Sequence, residues 1–227
     1  MKYWKSIFFT LIFLFFSNDV RFLNAHSDVI YDNQKAAYIN KLQTEIITIL
    51  DNSNLTLEHS KQQILDKYLD QIDVEWNARM AIGKYWKEMN NDQQIEYVNE
   101  YVKFLAYTWL PKFHYKRNKH VRILVKNETI QLTDTDDNVV IHIKLPDSKI
   151  IEVMLRVRKF DDNTFKILNL NAEGIDIAMS YRMQFYQYIE EHGNNVQELM
   201  KYIKNKNNEN IKNADFKLNI KIVKLRN

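Results

Sequence analysis

Between about residues 33 and 109, apolar residues recur every three to four positions. This spacing predicts amphipathic helices, the first at about 33–51, the second after Thr56 and the third over 73–82, with a fourth from Asn91 onward. Thr56 is a residue type that caps a helix start, and Gly83 is the type that ends one. The predicted inner faces carry Ile39, Leu42, Ile46 and Ile49 on the first helix, Ile64, Leu65, Tyr68 and Leu69 on the second, and Ile95, Val98, Val102, Leu105 and Trp109 on the fourth.

From His120 the repeat changes from a helical period to a period of two. Alternation of apolar and polar side chains predicts strands that bury one face. Short segments rich in Asp, Asn, Pro and Ser separate these strands and predict tight turns. The predicted strands cover residues 120–126, 139–145, 151–158 and 165–172, with turns at 134–138, 146–148 and 161–163.

Helical spacing returns after Gly174 and predicts a long helix that ends at Gly193, followed by a short helix over 195–204. The alternation of apolar and basic residues at 216–226 fits either a strand or a loosely docked arm. The order of helices, strands and helices predicts one domain of the α+β class. In it, several helices pack on a curved, mostly antiparallel sheet of four to five strands.

The N-terminus has the composition of a secretory signal peptide. Lys2 and Lys5 precede an unbroken apolar run over 7–16, and a polar stretch leads to Ala25, a small residue suited to cleavage. Polar and charged residues at 18–21 end the run too early for a transmembrane anchor, which needs about 20 apolar residues. We therefore expect cleavage near Ala25 and export of a soluble chain, with an uncleaved anchor as the alternative.

Composition and charge exclude several classes of protein. The 227 residues include no Cys and three Gly, which excludes disulfide scaffolds, thiol catalysis, thiolate zinc sites and Gly-rich phosphate loops. Although the net charge is +3, residues 26–200 carry a surplus of acidic side chains, whereas residues 201–227 carry eight basic and two acidic ones. An acidic body is a poor binder of nucleic acid. The basic end fits contact with anionic lipid or an acidic partner, or simple solvation.

The sequence contains no pattern of catalytic or metal-ligating residues. Its six His have no metal-binding spacing, and the period of two places His142 on the solvent side of its strand. The adjacent carboxylates Asp136-Asp137 and Asp161-Asp162 fall in predicted turns, where Asp is a common turn former. We therefore assign no catalytic residue, no metal site and no cofactor.

One face of the predicted sheet is entirely apolar. Such a face is either an ordinary core filled by helices or the wall of an apolar cavity, and spacing does not distinguish the two. The face consists of Val121, Ile123, Val125, Val139, Ile141, Ile143, Ile151, Val153, Leu155 and Val157.

Two blocks that flank the predicted strands have a specific order and spacing. Residues 72–86 read IDVEWNARMAIGKYW, and residues 173–185 read EGIDIAMSYRMQF, followed by Gly193 and Leu199. In these blocks the chain resembles the MlaC (toluene-tolerance auxiliary) family, over roughly residues 30–205. It departs from the family pattern at Ile82, where Leu is usual, at Phe165, where the strand often has Trp, and at Asp176, where Ser is usual.

The resemblance implies a phospholipid carrier in the periplasm of a Gram-negative envelope. Members of the family move phospholipid between an outer-membrane lipoprotein–porin complex and an inner-membrane ABC transporter that bears a lipid-binding ring, which maintains the lipid asymmetry of the outer membrane. The implied fold is a nuclear-transport-factor-like curved sheet with added helices and an apolar cavity that holds the acyl tails. On this basis, residues 1–25 are the signal peptide, 26–205 a single lipid-binding domain and 206–227 a basic extension. No cofactor or covalent chemistry is implied.

We expect the acyl tails to contact the apolar strand face together with residues of the helices in the resembling blocks. The expected cavity-lining residues are Met80, Tyr101, Leu105, Val121, Ile123, Val139, Ile141, Ile143, Ile151, Val153, Leu155, Val157, Ile177 and Phe185. Two alternatives stay open. One is an enzyme on the same sheet, a hydrolase or isomerase of an apolar substrate, which requires a buried ionisable residue such as Glu173 or Asp176. The other is a scaffold whose core is filled.

Overall fold

The structure of the chain, a computed structural model, describes residues 21–22, 33–109, 120–144, 150–214, 216–220 and 225. Within these ranges, only the backbone is described at 21–22, 50–51, 109, 120–128 and 143–144. Apart from Arg21 and Phe22, the expected signal peptide (residues 1–25) lies outside the described residues, and so does the basic end beyond residue 220 except for residue 225.

Polar side chains cap the starts of the helices. The first helix, α1 (Gln34–Asp51), follows Asn33, whose side-chain oxygen accepts hydrogen bonds from the N–H groups of Lys35 and Ala36. A cap of this kind stabilises a helix because its first N–H groups have no partner within the helix. Thr56, Asp73, Asp176 and Asn195 cap later helices in the same way. These later elements are α2 (Leu57–Gln71), α3 (Val74–Ile82), a 3₁₀ helix (Gly83–Glu88), α4 (Asn91–Trp109), α5 (Ile177–Glu191) and α6 (Val196–Asn213).

The described strands form one sheet in which spatial order follows chain order. The first two strands pair in parallel, and every later neighbour pairs antiparallel. The predicted α+β class and mostly antiparallel sheet are therefore confirmed. The strands are β1 (Arg21–Phe22), β2 (His120–Gln131), β3 (Asp136–Lys144), β4 (Ile150–Lys159), β5 (Phe165–Ala172) and β6 (Ile175–Asp176).

Three boundaries differ from those expected, and one open alternative is decided for residues 216–220. β2 continues to Gln131 rather than ending near 126. β3 begins at Asp136, inside the segment predicted as a turn, because Asp136 pairs in register with Arg158 of β4. The last helix continues to Asn213 rather than ending near 204. Residues 216–220 form a docked arm rather than a strand, and they pack against α2 and α4.

The buried apolar side chains of the described residues form three clusters. The sheet cluster lies between α1 and the apolar strand face, with Ala36, Ile39 and Leu42 contributed by α1. The helix cluster is built from α3, α4, α5, α6 and the 3₁₀ helix, and it is rich in Tyr and Phe. A third, smaller cluster joins α2 and α4 through Phe216.

A β-bulge in β5 connects the sheet to the helix cluster. Leu168 is the extra residue, since Val157 pairs with Ile167 while Arg156 pairs with Asn169. The carbonyl of Leu168 accepts a hydrogen bond of 2.9 Å from the side-chain amide of Asn77 on α3. The bulge therefore holds α3 against β5 and sets the position of the helix cluster relative to the sheet. Among the helices that the structure describes, none has the length and hydropathy needed to cross a bilayer.

Candidate functional site

The apolar strand face predicted from the period of two is present in the structure. Val139 of β3 pairs with Leu155 of β4, and Ile141 pairs with Val153, so the side chains of each pair lie on the same face. β5 continues this face, since Leu155 also pairs with Leu170. The described members of the predicted face are Val139, Ile141, Ile151, Val153, Leu155 and Val157, all of which belong to the sheet cluster.

Helix α1 packs on this face and supplies a Lys that pairs with the acidic residue on it. Asp137 shares the face, since it pairs with Val157, and its carboxylate forms an ion pair of 3.0 Å with Lys35 on α1. Asp137 and Val157 are the next cross-strand pair on this face after Val139 and Leu155. The ion pair therefore lies at the end of the face. The acidic group is thus neutralised where the helix meets the sheet, and the centre of the face stays hydrocarbon.

The centre of the face is not fully covered. Leu155 and Leu170 are half-buried, whereas Val153 and Val157 on the same strand as Leu155 are buried. Leu155 lies on β4, with paired strands on both sides of it. Partial exposure at such a position indicates a space between the sheet and the helices that cover it.

Tyr68 of α2 gives a second, independent indication of this space. It lies on the inward stripe of its helix, one turn after the buried residues Ile64 and Leu65 and one turn before Ile72, which bridges to Ile167 of β5. Nevertheless 38% of its surface is exposed, while burial raises the pKa of its hydroxyl. Tyr68 is therefore an aromatic side chain on the inward stripe of α2 that its neighbours leave partly uncovered. We infer an apolar space bounded by α1, α2 and the centre of the sheet.

The expected site residues on the helices lie in a different cluster from those on the strands. Tyr101 and Phe185 are buried in the helix cluster, with ring centroids 6.2 Å apart. Leu105 and Ile177 pack at the edge of that cluster, and Met80 on α3 is half-buried. Of the fourteen expected residues, the structure thus places six strand residues in the sheet cluster and four helix residues in the helix cluster. The side chains of Val121, Ile123 and Ile143 lie outside the described residues.

The hydroxyl of Tyr101 has a structural partner. It donates a hydrogen bond of 2.7 Å to the side-chain oxygen of Asn77, the residue whose amide group binds the bulge in β5. The Tyr97 hydroxyl donates to the carbonyl oxygen of Ala78 at 3.2 Å. Burial raises the pKa of both hydroxyls well above the usual range, so they stay protonated donors. These tyrosines join α4 to α3.

Two residues that face the apolar space were not among those expected from the sequence, namely Tyr68 and Leu170. The signal for Tyr68 was available, because helical spacing placed it on the inner face of the second helix. For Leu170, the signal depends on strand register, and the bulge at Leu168 shifts that register by one residue.

The opposite face of the sheet is charged. Asp136, expected to be a turn residue, is instead fully buried. It accepts hydrogen bonds from Arg156 Nη2 and Arg158 Nε, both at 2.6 Å. Burial would raise the pKa of this carboxyl, but the hydrogen bonds from Arg158 and Arg156 outweigh burial and lower its pKa to about 2. The Arg156 guanidinium also lies over the Trp76 ring. This cluster joins β3 to β4 and places the polar side of the sheet away from α1.

The two acidic residues considered for catalysis have structural roles. Asp176 caps α5, with one carboxylate oxygen accepting from the N–H of Met179 at 2.8 Å and the other from the Asn169 amide at 2.7 Å. Asp and Ser are both strong helix caps, which explains why Asp176 can replace the usual Ser. Glu173 is exposed in the turn before β6 and has a positive φ of 51°. In the part of the chain that the structure describes, no group of three His, Cys, Asp or Glu residues is placed to hold a metal ion.

Comparison with known proteins agrees with this architecture. The family model described as MlaC protein matches residues 40–205. Among solved structures, the chain is similar to the phospholipid-binding protein from Ralstonia solanacearum, determined in complex with a phospholipid. That similarity has a TM-score of 0.65 at 18% sequence identity and covers 77% of this chain and 97% of the other; at this identity it shows the shared fold. No curated protein sequence matches the chain significantly.

Proposed function

The chain belongs to the MlaC family, and we propose that it is an exported phospholipid carrier that holds acyl tails in the apolar space between α1, α2 and the sheet. The observation that carries this proposal is the half-buried centre of the strand face at Leu155 and Leu170, together with an accessible Tyr68 on the inward stripe of α2. In a scaffold with a filled core, neighbouring side chains would cover these positions. The phospholipid bound to the Ralstonia solanacearum protein of the same fold supports the choice of ligand.

The energetics of lipid transfer require such a surface. Two acyl chains carry roughly 30 methylenes, and at about 0.8 kcal/mol each their exposure to water costs on the order of 25 kcal/mol. A carrier must replace nearly all of the hydrocarbon contact that the bilayer provides. One unpaired charge facing the tails would cost several kcal/mol. The apolar centre of the strand face, with Asp137 paired to Lys35 at its end, satisfies this requirement.

We propose the following site residues, and the packing of the described side chains supports them. The strand residues Val139, Ile141, Ile151, Val153, Leu155 and Val157 form the wall that α1 covers, and Leu155 is the member we place in direct contact with an acyl tail. Tyr101 and Phe185 are packed by aromatic rings on several sides, so we now assign them a structural role. We keep Met80, Leu105 and Ile177 as rim positions.

The family match supports a proposal about the cellular role. We propose that residues 1–25 direct export and are removed, which also removes the two-residue strand β1 (Arg21–Phe22) from the edge of the sheet. In this proposal residues 26–205 form the lipid-binding domain, and the carrier works in the periplasm. Its partners in this proposal are an outer-membrane lipoprotein–porin complex and an inner-membrane ABC transporter with a lipid-binding ring. Release to a partner requires the space to open, because affinity from this much buried hydrocarbon is lost only when the walls separate.

An enzyme of apolar substrates is the second candidate, and the structure gives it little support. Such an enzyme requires an ionisable group that reaches the apolar space. Asp176 is engaged as a helix cap, and Glu173 is exposed in a turn. A carrier needs neither group, so it accounts for the described residues more simply.

The test is a pair of substitutions on opposite faces of β4. We expect Leu155→Glu to abolish uptake of fluorescent phospholipid from vesicles, because it places a carboxylate in the hydrocarbon contact. Met154→Glu is the matched control, since Met154 is also half-buried but lies on the opposite face, paired with Val140. Uptake by Leu155→Glu at the wild-type level, with both variants folded by circular dichroism, would refute the assignment.

A further inference from the structure

The chain returns over its own surface after α6. Residues 216–220, which we call the C-terminal strap, lie across α2 and α4. The strap lies outside residues 40–205, which the family model matches.

Phe216 anchors the strap between the two helices. Only 5% of its surface is exposed. Its ring stacks on that of Tyr107 of α4, with centroids 6.0 Å apart and planes 2° from parallel, and the Lys61 ammonium of α2 lies 4.2 Å from its centroid. The cluster that Phe216 joins contains Leu65 of α2 and Ala106 and Tyr107 of α4. The strap thus supplies the apolar contact that connects α2 to α4.

Three consecutive backbone N–H groups of the strap reinforce this anchor. The N–H of Lys217 donates to the Glu58 carboxylate at 3.3 Å, that of Leu218 to the Tyr107 hydroxyl at 3.0 Å, and that of Asn219 to the Gln62 side-chain oxygen at 2.9 Å. The Gln62 amide donates back to the carbonyl of Asn219 at 3.1 Å. Glu58 and Gln62 are one turn apart on α2, so the strap runs along the N-terminal half of that helix.

The other end of α2 is fixed to the sheet. Ile72 bridges to Ile167 of β5, and the N–H of Asp73 donates to the carbonyl of Ile167 at 2.9 Å. Tyr68 lies between this attachment and the strap contacts at Leu65 and Gln62. The C-terminal half of α2 is also held to α1, by the Lys67–Glu45 ion pair of 2.8 Å and by the Tyr38 hydroxyl, which donates to the Gln71 side chain at 2.8 Å. Loss of the strap would therefore leave α2 attached mainly through its C-terminal half, which is the geometry of a hinged wall.

We propose that the C-terminal strap holds α2 closed over the apolar space and so limits the rate at which lipid leaves it. This inference rests on the proposed carrier function. In it, displacement of Phe216 from the Tyr107 ring allows the N-terminal half of α2 to move away from α4, which opens the wall that carries Tyr68.

The experiment compares two neighbouring substitutions in the exported, lipid-loaded chain. Phe216→Ala removes the ring that joins the helices. Lys217→Ala is the matched control, because the Lys217 side chain is exposed and the substitution keeps the N–H that binds Glu58; it also removes one basic charge of the extension. Hydrogen exchange of the α2 amides reports opening, and transfer of loaded lipid to vesicles of phosphatidylethanolamine and phosphatidylglycerol reports release.

We expect Phe216→Ala to speed both exchange in α2 and lipid release by about tenfold or more, since both follow from one local opening, and Lys217→Ala to change neither. Faster exchange with wild-type release, or unchanged exchange, would overturn the inference while leaving the carrier function intact. Equal acceleration in Lys217→Ala would also overturn it, because the basic charge would then be the cause. A wild-type chain that takes up no phospholipid would instead overturn the proposed function, and the regulatory role with it.

Discussion

The Tyr186 hydroxyl accepts a hydrogen bond of 2.8 Å from the backbone N–H of Lys84. Lys84 follows Gly83, which ends α3 with a positive φ of 54°. The space beside Gly83 is filled by the Tyr186 hydroxyl and the Arg182 guanidinium, so a Cβ there would overlap both. The two sequence blocks that resemble the MlaC family, around residues 72–86 and 173–185, therefore meet at this glycine.

Gly83→Ala should destabilise the protein. The substitution forces an L side chain into a left-handed conformation, at a cost of about 1–3 kcal/mol, and also displaces Tyr186 and Arg182. Gly193→Ala is the matched control, because Gly193 has a φ of 75° with open space around it. Urea unfolding should show a larger loss for Gly83→Ala than for Gly193→Ala, and equal losses would contradict the contact with α5.

Asp136 should make stability depend on pH. Its pKa in the folded chain is about 2, below the ordinary value of 3.8. A lowered folded-state pKa means that the stabilisation, about 2 kcal/mol, is complete above roughly pH 4 and is lost as the pH falls toward 2. Asp136→Asn should therefore be less stable than the wild type at pH 7, with a difference that shrinks in acid. Urea unfolding at pH 7, 4 and 3 measures this; a difference that stays constant would rule out the ion pairs as its cause.

Tyr101→Phe separates packing from lipid contact. Loss of the hydroxyl leaves the Asn77 side-chain oxygen without the 2.7 Å hydrogen bond, which should lower the free energy of unfolding by about 1–3 kcal/mol. Lipid uptake should stay at the wild-type level, because Tyr101 is enclosed by other aromatic rings. Tyr97→Phe is the control with a weaker bond of 3.2 Å to a backbone carbonyl. Loss of uptake in Tyr101→Phe alone would place this residue in the lipid site after all.

Two positions on one strand face should respond differently to the same charge. Val153 is 1% exposed within the sheet cluster, whereas Leu155 is half-buried. Val153→Glu should lower the free energy of unfolding by several kcal/mol, since an unpaired charge would be buried in a filled core. Leu155→Glu should cost much less stability and act mainly on lipid uptake. Thermal unfolding of the two purified variants compares them, and similar losses would argue against a space at Leu155.

The local elements were largely predictable from the sequence, because their signals are local. Alternation over 139–145 and 151–158 predicted the apolar strand face, and Asp73 and Gly83 have the cap chemistry that bounds α3. The start of β3 at a buried Asp136 was not predictable in this way. Adjacent Asp residues are typical of turns, and only the approach of Arg156 and Arg158 from another strand stabilises a buried carboxylate there.

The division of the candidate site into two clusters was also beyond the sequence. Helical spacing identifies the inward side of α4 and α5, but it does not say which element that side meets. Tyr101 and Phe185 face other helices, whereas the strand residues face α1. The position of the helix cluster beside the sheet depends on tertiary contacts such as the bond from Asn77 to the bulge at Leu168.

The central claim, that this chain carries phospholipid in its interior, is tested most directly by native mass spectrometry. The chain would be expressed with residues 1–25 intact in a Gram-negative host and purified without detergent from the periplasmic extract, where we expect it. We predict a mass shifted by bound phospholipid, with fragmentation identifying the head group. A mass equal to that of the bare polypeptide, together with no uptake from added phospholipid vesicles, would contradict the account and favour a filled scaffold or an enzyme.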